Sequence, residues 1–292
     1  MTINRMKTGV KSRSVEELRE TVWKLSRQIM EITTEAGSGH PSSSLSAIDV
    51  ITALYFGGIM RHDPDRPQWP ARDRFILSKG HAAPALYVAL AEAGYFNPDL
   101  LSTLRELGSP LEGHPNMRRL AGVEASTGSL GQGLSFALGH ALAARIDGER
   151  YRVYCLIGDG EADQGQIWEA AMTAAKYDVD NLTAILDYNE YQQTGPVEKV
   201  MPGLFPIVEK WRAFGWHVVE IDGHNMEAVL EALEAVQQVN GQPQMIVAHT
   251  KKGKGLDPFE EDDVNRMHGE PLSPEQLEVA LADLNEMYGK VK

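Results

Sequence analysis

In "CLIGDGEADQG", residues 155–165, a mainly apolar run that begins at Tyr151 stops at Gly158, and one carboxylate, Asp159, follows between two glycines. The run reads as a buried strand. Gly158 and Gly160 allow a tight turn and let a ligand approach the backbone closely. A helix is expected to open near Gly165, turning its anion-favouring N-terminus roughly toward the same place. In an open parallel sheet, ligands bind beyond the carboxyl ends of the strands. The question is what Asp159 holds there.

Outward from this point, strands are expected at 74–78, 151–157, 182–187, 216–221 and 244–249. Helices near 165–177, 206–214 and 225–238 fall between the later strands. Such alternation argues for an α/β fold, a mostly parallel sheet flanked by helices. Near the start, Ser14 and Glu17 form a capping box. The helix they open has an apolar face of Leu18, Val22, Leu25, Ile29 and Ile32, and Gly37 ends it. Further helices are read in "LSAIDVITALYF" (45–56), "APALYVALAEAG" (83–94), "GQGLSFALGHALAARIDG" (131–148) and "SPEQLEVALADLNEMY" (273–288). The whole of 1–292 is read as one domain. Residues 1–13 are expected to be flexible, and the polar, glycine-bearing stretch 251–270 to be a mobile surface loop.

The chain has 292 residues, 42% of them hydrophobic, enough for a full core. A net charge of −13 argues against a broad basic surface for nucleic acid or anionic lipid. No apolar stretch is long enough to span a bilayer, and the basic N-terminus lacks the apolar centre of a secretory signal. The one cysteine, Cys155, rules out an internal disulfide framework. It suits a reducing cytoplasm.

The strand "LTAILDY" is followed by Asn189, about 30 residues after Asp159 and so one β-α-β unit away. Two oxygen-bearing side chains therefore converge from neighbouring strand ends. Hard oxygen ligands too few to complete a cage describe a magnesium site that shares its metal with a phosphate group. Taken alone, Gly-Asp-Gly could be a simple turn; the strand before it, the helix after it and Asn189 favour the site. The nucleotide-binding loops fit poorly. "GSLGQG" departs from G-x-G-x-x-G, and "KKGKGL" lacks the spacing of a P-loop.

"GDGEADQGQIWEAAMTAAKYDVDNLTAILDYN" resembles the thiamin diphosphate motif, a GDG followed about thirty residues later by an asparagine. "AGSGHPSSSLS", "RDRFILSKGHAAPALYVAL", "LEGHPN", "STGSLGQGLSFALG", "FGWHVVEIDGHN" and "MHGEP" stand in the order found in transketolases. Over nearly its whole length the chain is similar to the N-terminal half of that family. The resemblance implies that Asp159, Asn189 and the backbone carbonyl of Tyr191 bind Mg2+ (or Ca2+ or Mn2+). It implies that Gly160 gives an amide to the diphosphate and that Gly128 and Leu130 line the cofactor. His81 and His268 would lie near the diphosphate and thiazolium, and His40 and His114 would contact sugar hydroxyls. Imidazole suits those contacts, because it can donate or accept near neutral pH. A histidine beside glycine can also merely cap a turn; a helix interior is the preferred reading for His140, and a loop cap for His224. Lys252 either approaches the diphosphate or is a solvated loop lysine.

The resemblance further implies transfer of a two-carbon ketol unit from a ketose, usually phosphorylated, to an aldose. The domain that would hold the cofactor's pyrimidine is expected on a separate C-terminal subunit, in an α2β2 complex. The alternatives are a subunit resembling 1-deoxyxylulose-phosphate synthase, or a non-catalytic relative. Two positions depart from the family. Gln164 stands where an interface glutamate is usual, and Tyr188 replaces a small polar residue before the metal asparagine.

Overall fold

A computed structural model describes residues 12–290. In chain order the elements are α1 (Val15–Glu35), α2 (Pro41–Phe56), β1 (Arg74–Leu77), α3 (Ala83–Ala93), α4 (Gly133–Ile146), β2 (Val153–Gly158), α5 (Gly165–Lys176) and β3 (Leu182–Tyr188). There follow a small hairpin of β4 (Tyr191–Gln192) and β5 (Gly195–Pro196), then α6 (Val197–Val200), α7 (Ile207–Ala213), β6 (His217–Asp222) and α8 (Met226–Val236). The chain continues with β7 (Gln244–His249), α9 (Glu261–Arg266) and α10 (Pro274–Met287).

Five strands form one parallel sheet in the order β1-β2-β3-β7-β6. Successive residues of β2 serve opposite faces. Tyr154 and Leu156 join the core made with α1, α2, α3, α8 and α10. Val153, Cys155 and Ile157 join the core made with α4, α5 and α7. A strand covered on both faces needs apolar residues throughout rather than alternately, which is why 151–157 reads as a run. Edge strand β6 pairs with β7 alone and is half-buried. All five carboxyl ends point the same way, so the loops after β1, β2, β3 and β7 gather at one rim.

The capping box at Ser14 and Glu17 forms as expected. Arg13 is tied to Thr21 and Glu92, while the expectation of flexibility for residues 1–11 lies outside the described residues. Helix α2 starts at Pro41, four residues before the expected 45. Proline suits a first helical position, and Ser42–Ser44 are weak helix formers held by burial on all sides. Its one polar face carries Ser43, Ser46 and Asp49 at steps of three, which helical geometry stacks.

The stretch 251–270, expected as a mobile surface loop, is mostly turns, but it is anchored to the body of the protein. Lys252, Leu256 and Met267 are buried, and α9 lies within the segment. Gly253 N–H donates to Ser42 O at 2.9 Å, and Ser42 N–H to Met267 O at 3.4 Å. These bonds fold the segment over the start of α2. Its charges misled the reading, because two of its lysines find partners inside the protein.

Candidate active site

A cavity of about 430 Å3 opens at the rim, lined by His40, His81, His114, His268, Gly128, Leu130, Asp159, Gly160, Asn189 and Tyr191 among others. All but one of the expected site residues meet here. Lys252 stands in an adjoining cavity of about 350 Å3, which shares Asn189 and Tyr191 as walls.

The deep corner is built on strand ends. β2 ends at Gly158, and Asp159 opens a short 3-10 turn, Gly160–Asp163. Asp159 is 2% exposed. Its Oδ1 accepts from Gly160 N–H at 2.7 Å, so the amide expected to serve the diphosphate is engaged within the turn. Its Oδ2 is buried with no hydrogen-bond partner among the described residues; the Glu190 amide approaches the carboxylate without completing a bond. Burial, and next the charge of Asp187, push its pKa up to about 7. Asn189 Oδ1 accepts from Tyr191 N–H at 3.1 Å, and its Nδ2 faces Asp187 Oδ2 at 3.4 Å.

The sequence reading missed the wiring behind this corner. Asp187 sits beside Gly158 in the register of β2 and β3, fully buried. It pairs with the equally buried Lys79 and accepts from Ser46 Oγ at 2.6 Å and from Thr250 Oγ1. Burial alone would raise the Asp187 pKa; the Lys79 ammonium and these hydrogen bonds outweigh it and hold the carboxyl low. Glu161, also missed, accepts from Ser78 Oγ, from Gly131 N–H at 2.8 Å and from Gly158 N–H at 3.2 Å, bracing the turn against β1 and α4. Burial raises its pKa against those bonds. The signal was present in both cases. An ionisable residue inside an apolar strand, or just past its end, is costly to bury without a partner.

Toward the mouth lie four imidazoles from four places in the chain. His40 precedes α2, His81 lies in the turn after β1, His114 lies between α3 and α4, and His268 follows α9. Ring centroids are 5.4 Å apart for His40 and His81, 4.8 Å for His81 and His268, and 6.5 Å for His40 and His114. Burial is the first cause lowering the pKa of each. His40 falls to about 4, helped by Arg105, and His268 to about 3, helped by Lys252. All four are neutral at pH 7, able to donate at one nitrogen and accept at the other. His268 Nδ1 lies 2.9 Å from Ser43 Oγ. Gly128 has φ +143, and a Cβ there would meet the His114 ring at 3.0 Å, so this approach requires glycine.

Lys252 is not a solvated lysine. Its Nζ donates to Asn265 Oδ1 at 2.8 Å and to Gln192 O at 3.3 Å. Burial, and next Lys79, lower its pKa to about 8. His140 and His224 lie outside the cavity, and Gln164 is exposed. Tyr188 is buried against Phe205 and His249.

The residues fit a divalent cation bound with a phosphate. Asp159 offers a buried, unpartnered oxygen, and an amide side chain stands at the next strand end. Among the described residues no three His, Cys, Asp or Glu side chains form a metal group. A site here would draw on one carboxylate, amide and carbonyl oxygens, and the phosphate itself, a pattern typical of Mg2+. No helix among the described residues is long and apolar enough to cross a membrane.

The family model for the thiamine diphosphate binding domain of transketolase matches residues 18–289. The chain is 48% identical over 255 residues to the 6-deoxy-6-sulfo-D-fructose transketolase subunit of Clostridium sp. (strain MSTE9), covering 87% of this chain and 91% of that one. It is 41% identical to an apulose-4-phosphate transketolase subunit of Phocaeicola vulgatus, over 95% and 97% of the two chains. The solved transketolase of Campylobacter jejuni superposes with a TM-score of 0.84 at 31% identity, over 95% of this chain but 43% of that one. Two relatives are thus matched nearly end to end, and the longer transketolase over less than half its length. The chain belongs to the transketolase family of transferases and carries its thiamine diphosphate-binding domain.

Proposed function

We propose that this chain is the N-terminal subunit of a two-chain transketolase and moves a two-carbon ketol group from a ketose to an aldose. Asp159, Asn189 and the Tyr191 carbonyl would hold Mg2+, with Ca2+ or Mn2+ as substitutes, against the diphosphate. Gly160, Gly128, Leu130, His81, His268 and Lys252 would line the cofactor. Bound thiamin diphosphate would supply the electron sink that lets a ketose carbon–carbon bond break. His40 and His114, neutral and near the mouth, would orient the sugar hydroxyls and move their protons. The names of the two similar subunits favour a partner chain, and we place the pyrimidine-binding domain on it, in an α2β2 assembly. The buried Cys155 thiol suits a reducing compartment, and we place the enzyme in the cytoplasm.

The observation that carries the reading is the unpartnered Asp159 oxygen in the same cavity as four neutral imidazoles. Calorimetry with thiamin diphosphate tests it. Binding should need Mg2+, and Asp159→Ala should weaken it by at least the roughly 10–100-fold seen for outer partners of metal sites. Unchanged affinity in Asp159→Ala would overturn the site. Ketol transfer should appear only when the partner chain is added, and turnover by this chain alone would overturn the two-chain assignment.

A further inference from the structure

Away from the cavity a second polar cluster joins α2, the turn after β6 and the segment after β7. Asp49, on the polar face of α2, is 3% exposed. Its Oδ2 lies 3.0 Å from His224 Nδ1. Both its oxygens accept from Lys254 Nζ, at 2.9 and 3.1 Å. The other ring nitrogen, His224 Nε2, accepts the backbone N–H of Lys251 at 2.8 Å. A nitrogen that accepts carries no proton, so the neutral ring bears its proton on Nδ1 and donates it to Asp49. The backbone of the turn is fixed as well: His224 N–H donates to Asp222 Oδ1 at 2.8 Å, and Gly223 N–H to His249 O at 2.8 Å. His224 therefore does more than cap a loop. It carries the position of a buried carboxylate to the main chain at Lys251.

The next residue is Lys252, whose ammonium feels both Lys79 and the Asp159 and Asp187 carboxylates. Thr250 on one side is bonded to Tyr188 O at 3.1 Å, and Gly253 on the other to Ser42 O at 2.9 Å. The Lys251 amide is the anchor between them. At Gly253 the chain turns through the left-handed region, φ +69. The segment is thus leaving the sheet here, and side chains must take over from strand pairing.

We propose that His224 is a positioning residue: held by Asp49, it fixes the Lys251 amide and so sets the Lys252 ammonium beside the diphosphate end of the cavity. The proposal rests on reading that cavity as the thiamin diphosphate site. Three forms of the full chain test it, wild type, His224→Phe and His224→Gln. Phenylalanine keeps a ring and removes both hydrogen bonds, whereas glutamine keeps a donor and an acceptor. In His224→Phe, hydrogen exchange of the cofactor-free protein should accelerate at amides 250–254 while β2 and β3 keep their protection. The dissociation constant for thiamin diphosphate with Mg2+ should rise about tenfold, as for outer partners at other ligand sites. Glutamine should restore both in large part. Unchanged exchange at 250–254 in His224→Phe overturns the proposal. So does acceleration across the whole sheet that glutamine fails to rescue, which would make the role one of packing. If wild type itself binds no thiamin diphosphate, the proposed function falls and the link to Lys252 with it. Faster local exchange in His224→Phe would still assign the anchor to His224.

Discussion

The cavity has two ends that handle charge in opposite ways. At the deep corner, charge is kept and compensated: Lys79 and Asp187 are both buried and paired, and hydroxyls from α2 and the segment after β7 complete the carboxylate. At the mouth, charge is removed: burial holds four imidazoles neutral at pH 7. The corner is a rigid electrostatic frame with one open oxygen, suited to a cation and a polyanion. The mouth is a ring of neutral donors and acceptors, suited to hydroxyls. A site for one sugar-handling cofactor needs both, and the difference predicts that the two ends fail differently.

The largest expected effect is at the mouth. His40→Ala and His114→Ala should lower turnover of the assembled enzyme roughly 10²–10⁴-fold, the range for loss of a positioned acid or base. Cofactor affinity should stay nearly intact. Loss of cofactor binding with activity per bound cofactor preserved would put these histidines at the wrong end.

The corner should fail through folding. Lys79→Met leaves Asp187 buried and unpaired, and breaking a buried pair from one side typically destabilises by about 3–5 kcal/mol. Urea denaturation of the cofactor-free chain should show this, and Lys79→Met combined with Asp187→Leu should recover much of the loss. A single variant as stable as wild type would mean that the pair is not the frame described.

How much of this could be read beforehand follows the same division. The central strands β2, β3 and β7 were legible because both faces of each are covered, which forces mainly apolar runs. The imidazoles were legible because each stands in a glycine-flanked motif. The Lys79–Asp187 pair was not, since its members are 108 positions apart and nothing local ties "ILSK" to "ILDY". The polar face of α2 was passed over because serines at steps of three look like weak helix formers until the sheet beside them is known. In 251–270 the polar, charged composition read as a surface loop and left Lys252 open between diphosphate and solvent; only the fold supplies Asn265 as partner to Lys252 and Asp49 to Lys254.

A smaller effect separates the two corner carboxylates by pH. The folded pKa of Asp159, about 7, lies above the ~3.9 of an unfolded aspartate. Between those values the folded chain holds a proton that the unfolded chain has released, so stability falls as pH rises through that window. Asp159→Asn should therefore match wild type near pH 4 and exceed it by roughly 2–4 kcal/mol at pH 8 without divalent cations. Mg2+ should narrow the gap at pH 8 by stabilising wild type alone. Asp187 has the opposite sign. Its folded pKa is depressed, so its contribution is present above the unfolded value and is lost as pH falls through the folded one. Denaturation midpoints across pH 3–9 would show both slopes, and equal midpoints for Asp159→Asn and wild type at pH 8 would remove the strained carboxylate.

The smallest effect belongs to a residue at neither end. Gln164 precedes α5 and is exposed, with its side chain against Gly131, where an added Cβ would come within 2.7 Å of the Gln164 Cβ. Its surroundings in this chain are solvent and one glycine turn, with no hydrogen-bonding demand that only an amide meets. Gln164→Glu should therefore shift the stability of the isolated chain by no more than about 0.5 kcal/mol, as for other surface changes, and leave its cofactor affinity unaltered. The family resemblance gives a glutamate here a place in a carboxylate network between subunits, and an amide can hydrogen-bond there but cannot relay a proton. In the assembled enzyme, restoring the acid should change the rate of cofactor activation or the coupling between paired sites. Pre-steady-state activation kinetics of the two complexes decide the matter. Identical traces would make the amide at 164 a neutral departure, and a change already visible in the isolated chain would place its effect within the cavity rather than across an interface.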